Sequence, residues 1–180
     1  LPEDRIDNLI ARYDEGINYT DGLIGGFLHK LRAKKLLDRT IIVLTADHGE
    51  GLFDHDFFFH EADLSDSTLR VPLIIKAPGI AGRNILKTVQ LIDLMPTLLD
   101  LVGIPPPENA QGHSLKTLLT GTGAEAEFAE RDIFSESGKG GQAMRSGKLK
   151  LIRQKGKVEL YNLTEDPQER NNLAESDRLT

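Results

Sequence analysis

Three of the chain's five histidines, His48, His55 and His60, fall within thirteen residues, and they are interleaved with or flanked by Asp47, Glu50, Asp54 and Asp56. No other stretch is as dense in groups that bind cations or move protons. Carboxylate oxygen combined with imidazole nitrogen suits a divalent cation, and Asp47 and His48 are the first candidates to hold one. Gly49 lets the backbone turn away sharply, so that both side chains can converge. A second reading stays open: Asp-His-Gly at a strand end can be a simple turn, with the aspartate bonded to backbone amides and the histidine facing water. For His60 the alternatives are contact with a ligand, or packing among Phe53, Phe57, Phe58 and Phe59. So many aromatics in one loop favour burial over disorder.

These residues need a scaffold, and the pattern of apolar residues outlines one. Ile6, Leu9, Tyr13, Ile17, Ile24, Phe27, Leu28 and Leu31 recur at the spacing of a long amphipathic helix. Gly16, Gly22, Gly25 and Gly26 each weaken that helix by up to about 1 kcal/mol relative to Ala, which suggests a face packed closely on a neighbour. Thr40 to Thr45 is a continuous β-branched run and reads as a central parallel strand covered on both faces. Asp47-His48 stands at its carboxyl end, where ligands bind in open α/β sheets. A loop of about a dozen residues leads to a second buried strand, Val71 to Lys76, closed by the turn Ala77-Pro78-Gly79. Asp93 is placed to cap a helix through Leu94, Leu98, Leu99 and Val102, with Pro96 in its first turn and Gly103 as its stop. Pro105 to Pro107 then impose an extended connection. His113 reads as a surface residue ahead of a short helix capped by Ser114.

The character changes near residue 128. Asp132 to Ser135, Lys148 to Arg153 and Val158 to Leu163 read as antiparallel strands, the last two joined by a hairpin at Gln154-Lys155-Gly156-Lys157. The expected organisation is an α/β core over 1–128, with helices layered on a parallel sheet, followed by a small antiparallel sheet over 129–180. Lys139, Arg145 and Lys148 read as part of its solvated face, and Arg70 as an anchor for loop or strand.

With 180 residues, 39% hydrophobic and 28% charged, the chain has the composition of a globular domain able to bury a core. Its net charge of −6, with Lys and Arg dispersed, argues against nucleic acid as a partner. No apolar run approaches the roughly 20 residues of a membrane-spanning helix, and no charged-then-apolar leader opens the chain. The chain begins with Leu1 rather than Met and reads as processed or cut from something longer. Zero cysteines exclude disulfides, thiolate ligands and a cysteine nucleophile within these residues.

Thr45-Ala46-Asp47-His48-Gly49-Glu50, Phe58-Phe59-His60, Leu69-Arg70-Val71-Pro72-Leu73-Ile74-Ile75 and Ala77-Pro78-Gly79 together resemble the second metal-binding region of sulfatases, members of the alkaline phosphatase-like superfamily. The likeness continues through Asp93 to Ile104, Gly112-His113-Ser114-Leu115, Glu159-Leu160-Tyr161-Asn162-Leu163, Asp166-Pro167 and Asn172-Leu173. The resemblance implies that Asp47 and His48 bind the catalytic cation, calcium foremost with manganese as the alternative. It implies that His60 contacts the sulfate group of a small sulfate ester or a sulfated glycan, and His55 stands as a further candidate. A histidine there could also protonate a leaving alkoxide, since imidazole as a residue type titrates near neutrality. The family further suggests a periplasmic or secreted protein.

Sulfatases carry their nucleophile in a Cys/Ser-x-Pro-x-Arg motif. No serine here is followed by Pro two places on and Arg four places on. The paired aspartates that complete the family's metal site would also lie upstream of Leu1. A fragment bearing half a site and inactive alone is therefore expected, with self-association through an exposed core face. Glu61 stands where many sulfatases have Gly. Asp-His at the metal also occurs in phosphonate and phosphodiester hydrolases of the superfamily, the runner-up activity. A non-catalytic binding or structural domain is the third reading.

Overall fold

The structure, a computed structural model, describes residues 2–55, 58–60, 63–123, 128 and 131–176. Asp56, Phe57 and Glu61 lie outside the described residues. The chain forms two compact units, Leu1–Pro78 with Ser137–Lys139, and Gly79–Glu136 with Gly140–Thr180.

In the first unit the helical periodicity becomes α1, Glu3–Ala33. Glu3 and Asp4 in its first turn and Lys30 and Arg32 in its last oppose the partial charges of the helix ends. None of its described residues is buried, and Leu9, Tyr13, Ile17, Leu23 and Phe27 are exposed. The close neighbour expected at Gly16, Gly22, Gly25 and Gly26 is absent among the described residues, for a Cβ at any of them would have nothing within 4 Å.

A 3-10 turn, Leu37–Arg39, leads into β1, Ile42–Thr45. Then come β2 (Gly51–Leu52), β3 (Phe58–Phe59), the single helical turn α2 (Asp66–Leu69) and β4 (Leu73–Lys76). β1 pairs with β4, and the pairing is antiparallel, Ile42 opposite Lys76 and Thr45 opposite Leu73. The expectation that β1 runs parallel to its neighbour is corrected for the described strands. Continuous apolar runs report that both faces want burial but carry no information on direction. Among the described residues the connection contains one helical turn, whereas parallel neighbours are usually bridged by a full crossover helix. Lys76 Nζ fastens the end of β4 by donating to the Leu37 carbonyl at 2.6 Å.

In the second unit, α3 (Leu94–Leu101) follows a 3-10 turn over Leu91–Asp93, keeps Pro96 buried in its first turn, and stops at Gly103, whose φ is +76°. Asp93 occupies the N-cap position of α3, but its carboxylate does not cap that helix. It accepts from Gln90 N at 2.8 Å, from His113 N at 2.9 Å and from both terminal nitrogens of Arg131 at 2.8 and 2.9 Å. A charged partner 38 residues away in sequence thus overrides the local capping role. The short helix α4 (Lys116–Thr120) has Leu115 at its N-cap. Ser114 acts from one place earlier, accepting from Lys116 N at 3.3 Å while donating to Asp100 Oδ2 at 2.6 Å.

The C-terminal sheet is an antiparallel meander, β5 (Ile133–Glu136), β6 (Gln142–Ser146), β7 (Leu149–Gln154) and β8 (Lys157–Asn162), in that order across the sheet. Strand β6 is additional to the three runs recognised in the sequence. The β7–β8 hairpin turns through Lys155 and Gly156, both with positive φ, as a two-residue mirror-image turn requires. Ala143, Ile152 and Tyr161 are buried in the sheet. Lys150 is buried with them, paired to Glu169 at 2.5 Å, because a desolvated ammonium needs an opposite charge. A last turn, α5 (Leu173–Ser176), follows.

Candidate metal centre

Thr45 ends β1, and the chain turns immediately through Asp47 and His48. The Asp47 carboxylate accepts from His48 N at 3.0 Å and is otherwise open, its side chain 89% exposed. Backbone N–H groups, its own first and then that of His48, hold the Asp47 carboxyl below the usual carboxylate value, and the charge of His48 adds to the effect. His48 Nδ1 lies 2.8 Å from the Gly49 carbonyl oxygen. A carbonyl only accepts, so Nδ1 carries a proton, and in the neutral ring Nε2 is the nitrogen with the lone pair. That lone-pair nitrogen is 3.8 Å from Asp47 Oδ2.

His60 joins them from the far side of the loop. Its ring stacks on that of His48, centroids 4.0 Å apart and planes inclined by 28°. Its Nδ1 faces Glu50, 3.3 Å from Oε2 and 3.4 Å from Oε1. Strands β2 and β3 make this meeting local, since Gly51 opposite Phe59 brings Glu50 and His60 to the same end of a short ladder. Sequence reasoning counted Glu50 in the cluster without giving it a role, and spacing alone does not reveal a pairing that depends on strand register. His55 sits exposed in the turn between these strands. His113 is also exposed and belongs to the second unit, its ring edge-on to Phe128 at 6.2 Å.

The backbone beneath the pair is tightly fixed. Gly49 N donates to the Thr68 carbonyl at 2.7 Å, and a Cβ at Gly49 would stand 2.1 Å from the carbonyl oxygen of Ser67. Only glycine lets the loop pass so close to α2.

Donors 3.8 Å apart can both reach one ion at the roughly 2.0 to 2.6 Å typical of nitrogen and oxygen ligands. They are a pair rather than a cage: among the described residues no group of three or more His, Cys, Asp or Glu side chains is gathered for a metal. A hard divalent cation takes several oxygens, so this pair could supply only part of a coordination sphere. An open depression of about 290 Å³ lined by Phe134, Met144, Leu151 and Arg153 shares none of these residues and is formed by the C-terminal sheet.

The described helices and antiparallel sheets match a partial α/β fold of the alkaline phosphatase-like superfamily, as seen in solved sulfatases. The chain belongs to the sulfatase family, whose model matches residues 2–104. It is 32% identical to mouse arylsulfatase K over 186 residues, covering 96% of this chain and 34% of the relative. A solved 2-O GAG sulfatase superposes with a TM-score of 0.88 at 27% identity, over 98% of this chain and 40% of that one. A structure solved in complex with its substrate D-glucosamine-2-N,6-O-disulfate gives 0.72 at 31%, covering 88% and 34%. The phosphonate monoester hydrolase of Agrobacterium radiobacter gives 0.72 at 27%, covering 86% and 35%. The chain spans between 21% and 34% of the length of the curated relatives it matches.

Proposed function

We propose that this chain is the C-terminal part of a sulfuric-ester hydrolase and contributes half of a divalent-cation and sulfate-binding site. The observation that carries the reading is the convergence of Asp47 Oδ2 and His48 Nε2 at 3.8 Å beside the stacked ring of His60. Calcium is the first choice of ion and manganese the alternative, because carboxylate suits the former and imidazole the latter. When bound, the cation would draw negative charge from a sulfuryl oxygen. His60, with Glu50 at its Nδ1, presents its other nitrogen to the ester, where it can donate to a sulfate oxygen or to the departing alkoxide. His55 is an outer contact for the remainder of the substrate. That substrate is a small sulfate ester or a sulfated glycan, a class supported by the disulfated glucosamine bound in one structural neighbour.

The 180 residues hold no cysteine and no Ser-x-Pro-x-Arg sequence, so in this reading the nucleophile and the remaining ligands come from elsewhere in a longer protein and the isolated chain does not turn over. In the same reading, 1–128 belongs to the catalytic core and 129–180 to a small β subdomain. The exposed apolar side chains of α1, among them Ile17, Leu23 and Phe27, favour self-association of the chain alone. Phosphonate ester hydrolysis is the second reading, favoured by the imidazole in the ligand pair and by the phosphonate monoester hydrolase neighbour.

The test compares an aryl sulfate with a phosphonate monoester on the full-length parent, in calcium and in manganese, with and without Asp47→Ala. Faster cleavage of the sulfate, reduced by about a hundredfold or more in the variant, is the expected result for loss of a charge-stabilising group. Preference for the phosphonate moves the assignment to the second reading, and unchanged sulfate turnover in the variant overturns the role given to Asp47.

A further inference from the structure

The backbone that holds His48 is itself held from α2, and the chain of bonds can be followed outward. His48 Nδ1 donates to the Gly49 carbonyl at 2.8 Å, and Gly49 N donates to the Thr68 carbonyl at 2.7 Å. The His48–Gly49 peptide is thereby tied to α2, and the Gly49 carbonyl to the His48 ring, with the Ser67 carbonyl pressed against the place a Cβ would occupy. Thr68 is fixed in turn. It is 3% exposed, and its hydroxyl lies 3.0 Å from the Asp63 carbonyl and 3.1 Å from that of Ser65. The same turn is closed by Ser65 N donating to Asp63 Oδ1 at 3.1 Å, by Ser65 Oγ donating to Asp63 Oδ2, and by Ser65 and Ser67 hydroxyls 2.6 Å apart.

We infer that Thr68 is a positioning residue that, through Gly49, sets which nitrogen of His48 faces Asp47. This rests on the reading of Asp47 and His48 as cation ligands for its functional meaning, though not for its structural content. A neutral histidine side chain in water favours the proton on Nε2, which leaves the lone pair on Nδ1. The Gly49 carbonyl reverses that preference: it accepts only, so it demands the proton on Nδ1 and leaves the Nε2 lone pair 3.8 Å from Asp47 Oδ2. A histidine that ligates a metal usually donates its other ring N–H to a carbonyl or carboxylate, and loss of such a partner weakens metal binding by about 10–100-fold. What the fold adds here is the tie that places the His48–Gly49 peptide, and with it the carbonyl that follows. Without the Thr68 hydroxyl the 63–68 turn loses one of its buried bonds, the Thr68 carbonyl that receives Gly49 N shifts, and His48 returns toward its tautomer in water.

The experiment uses the full chain labelled with 15N at histidine, read by long-range 1H–15N correlation above the pH at which imidazole is protonated, with His48→Ala to assign the signal. Wild-type His48 should show a protonated Nδ1 and a bare Nε2. Thr68→Val, which keeps the shape and removes the hydroxyl, should shift His48 toward the Nε2–H form, and Thr68→Ser should restore the wild-type pattern. Adding Mn2+ to the same samples should broaden the His48 signals, with about 10–100-fold more ion needed for Thr68→Val. A wild-type spectrum with the proton on Nε2 overturns the inference even if Thr68→Val fails to fold, as does a folded Thr68→Val identical to wild type in tautomer. A Thr68-dependent tautomer with no Mn2+ effect upholds the positioning role, and the same Mn2+ addition to the full-length parent, if it too leaves His48 unchanged, defeats the cation reading instead.

Discussion

Arg131→Met tests whether the pair that organises the second unit is held together as the geometry implies. Asp93 is fully buried and Arg131 nearly so, and the guanidinium meets both carboxylate oxygens at 2.8 and 2.9 Å. Methionine fills the same volume but leaves the carboxylate with only the N–H groups of Gln90 and His113. Removing one partner of a buried pair costs about 3–5 kcal/mol, because the remaining charge stays desolvated without its counterion. For a chain of this size each kcal/mol lowers Tm by about 2–4 °C, so a fall of roughly 6–20 °C is expected by calorimetry. Adding Asp93→Asn removes the stranded charge, and the double variant should be more stable than the sum of the two single losses by at least about 1 kcal/mol. A fall of less than about 2 °C for Arg131→Met, or strict additivity in the double variant, would refute the reasoning.

Three further outcomes follow from the same physics. Hydrogen bonds from Lys116 and then Ser114 lower the Asp100 carboxyl below its ordinary 3.8. The stability this contributes is present above that pH and lost as pH falls through the lowered value. In Lys116→Met the Asp100 carboxyl should titrate closer to the ordinary value by NMR. Burial, reinforced by Glu159, pushes Tyr161 from 10.0 up to about 12. Its contribution is intact below 10.0 and lost as pH rises toward 12, so phenolate absorbance should show one tyrosine ionising late and stability falling across that window. At Gly156, with φ of +77°, substitution by Val should lower stability by about 1–2 kcal/mol or more in urea unfolding, since a β-branched residue is strained there.

The parts of the fold that repeat locally were legible in the chain. The three-and-four spacing from Ile6 to Leu31 marks α1, and the turn residues at 154–157 mark the last hairpin, because each is decided by neighbours a few residues away. Strand direction was not legible: Thr40 to Thr45 and Val71 to Lys76 read as buried runs, but direction depends on which strand lies alongside. Strand β6 was hidden because Gln142-Ala143-Met144-Arg145-Ser146 is short, mixed and bounded by glycines. Asp93 shows the same limit at one residue, an apparent helix cap drawn instead to Arg131 and to the 3-10 turn. Within the candidate site, Asp47 and His48 were readable because they are adjacent at a strand end. The pairing of Glu50 with His60 and the tie from Thr68 to Gly49 rest on register and on backbone contact, which composition does not encode.

The central claim is that Asp47 and His48 bind one cation together. Anomalous diffraction from Mn2+-soaked crystals of the full-length parent reads it directly. The account predicts a peak within about 2.0–2.6 Å of both the Asp47 carboxylate and His48 Nε2, lost in His48→Ala. A peak elsewhere in the molecule, or one at this loop that survives His48→Ala, would contradict it.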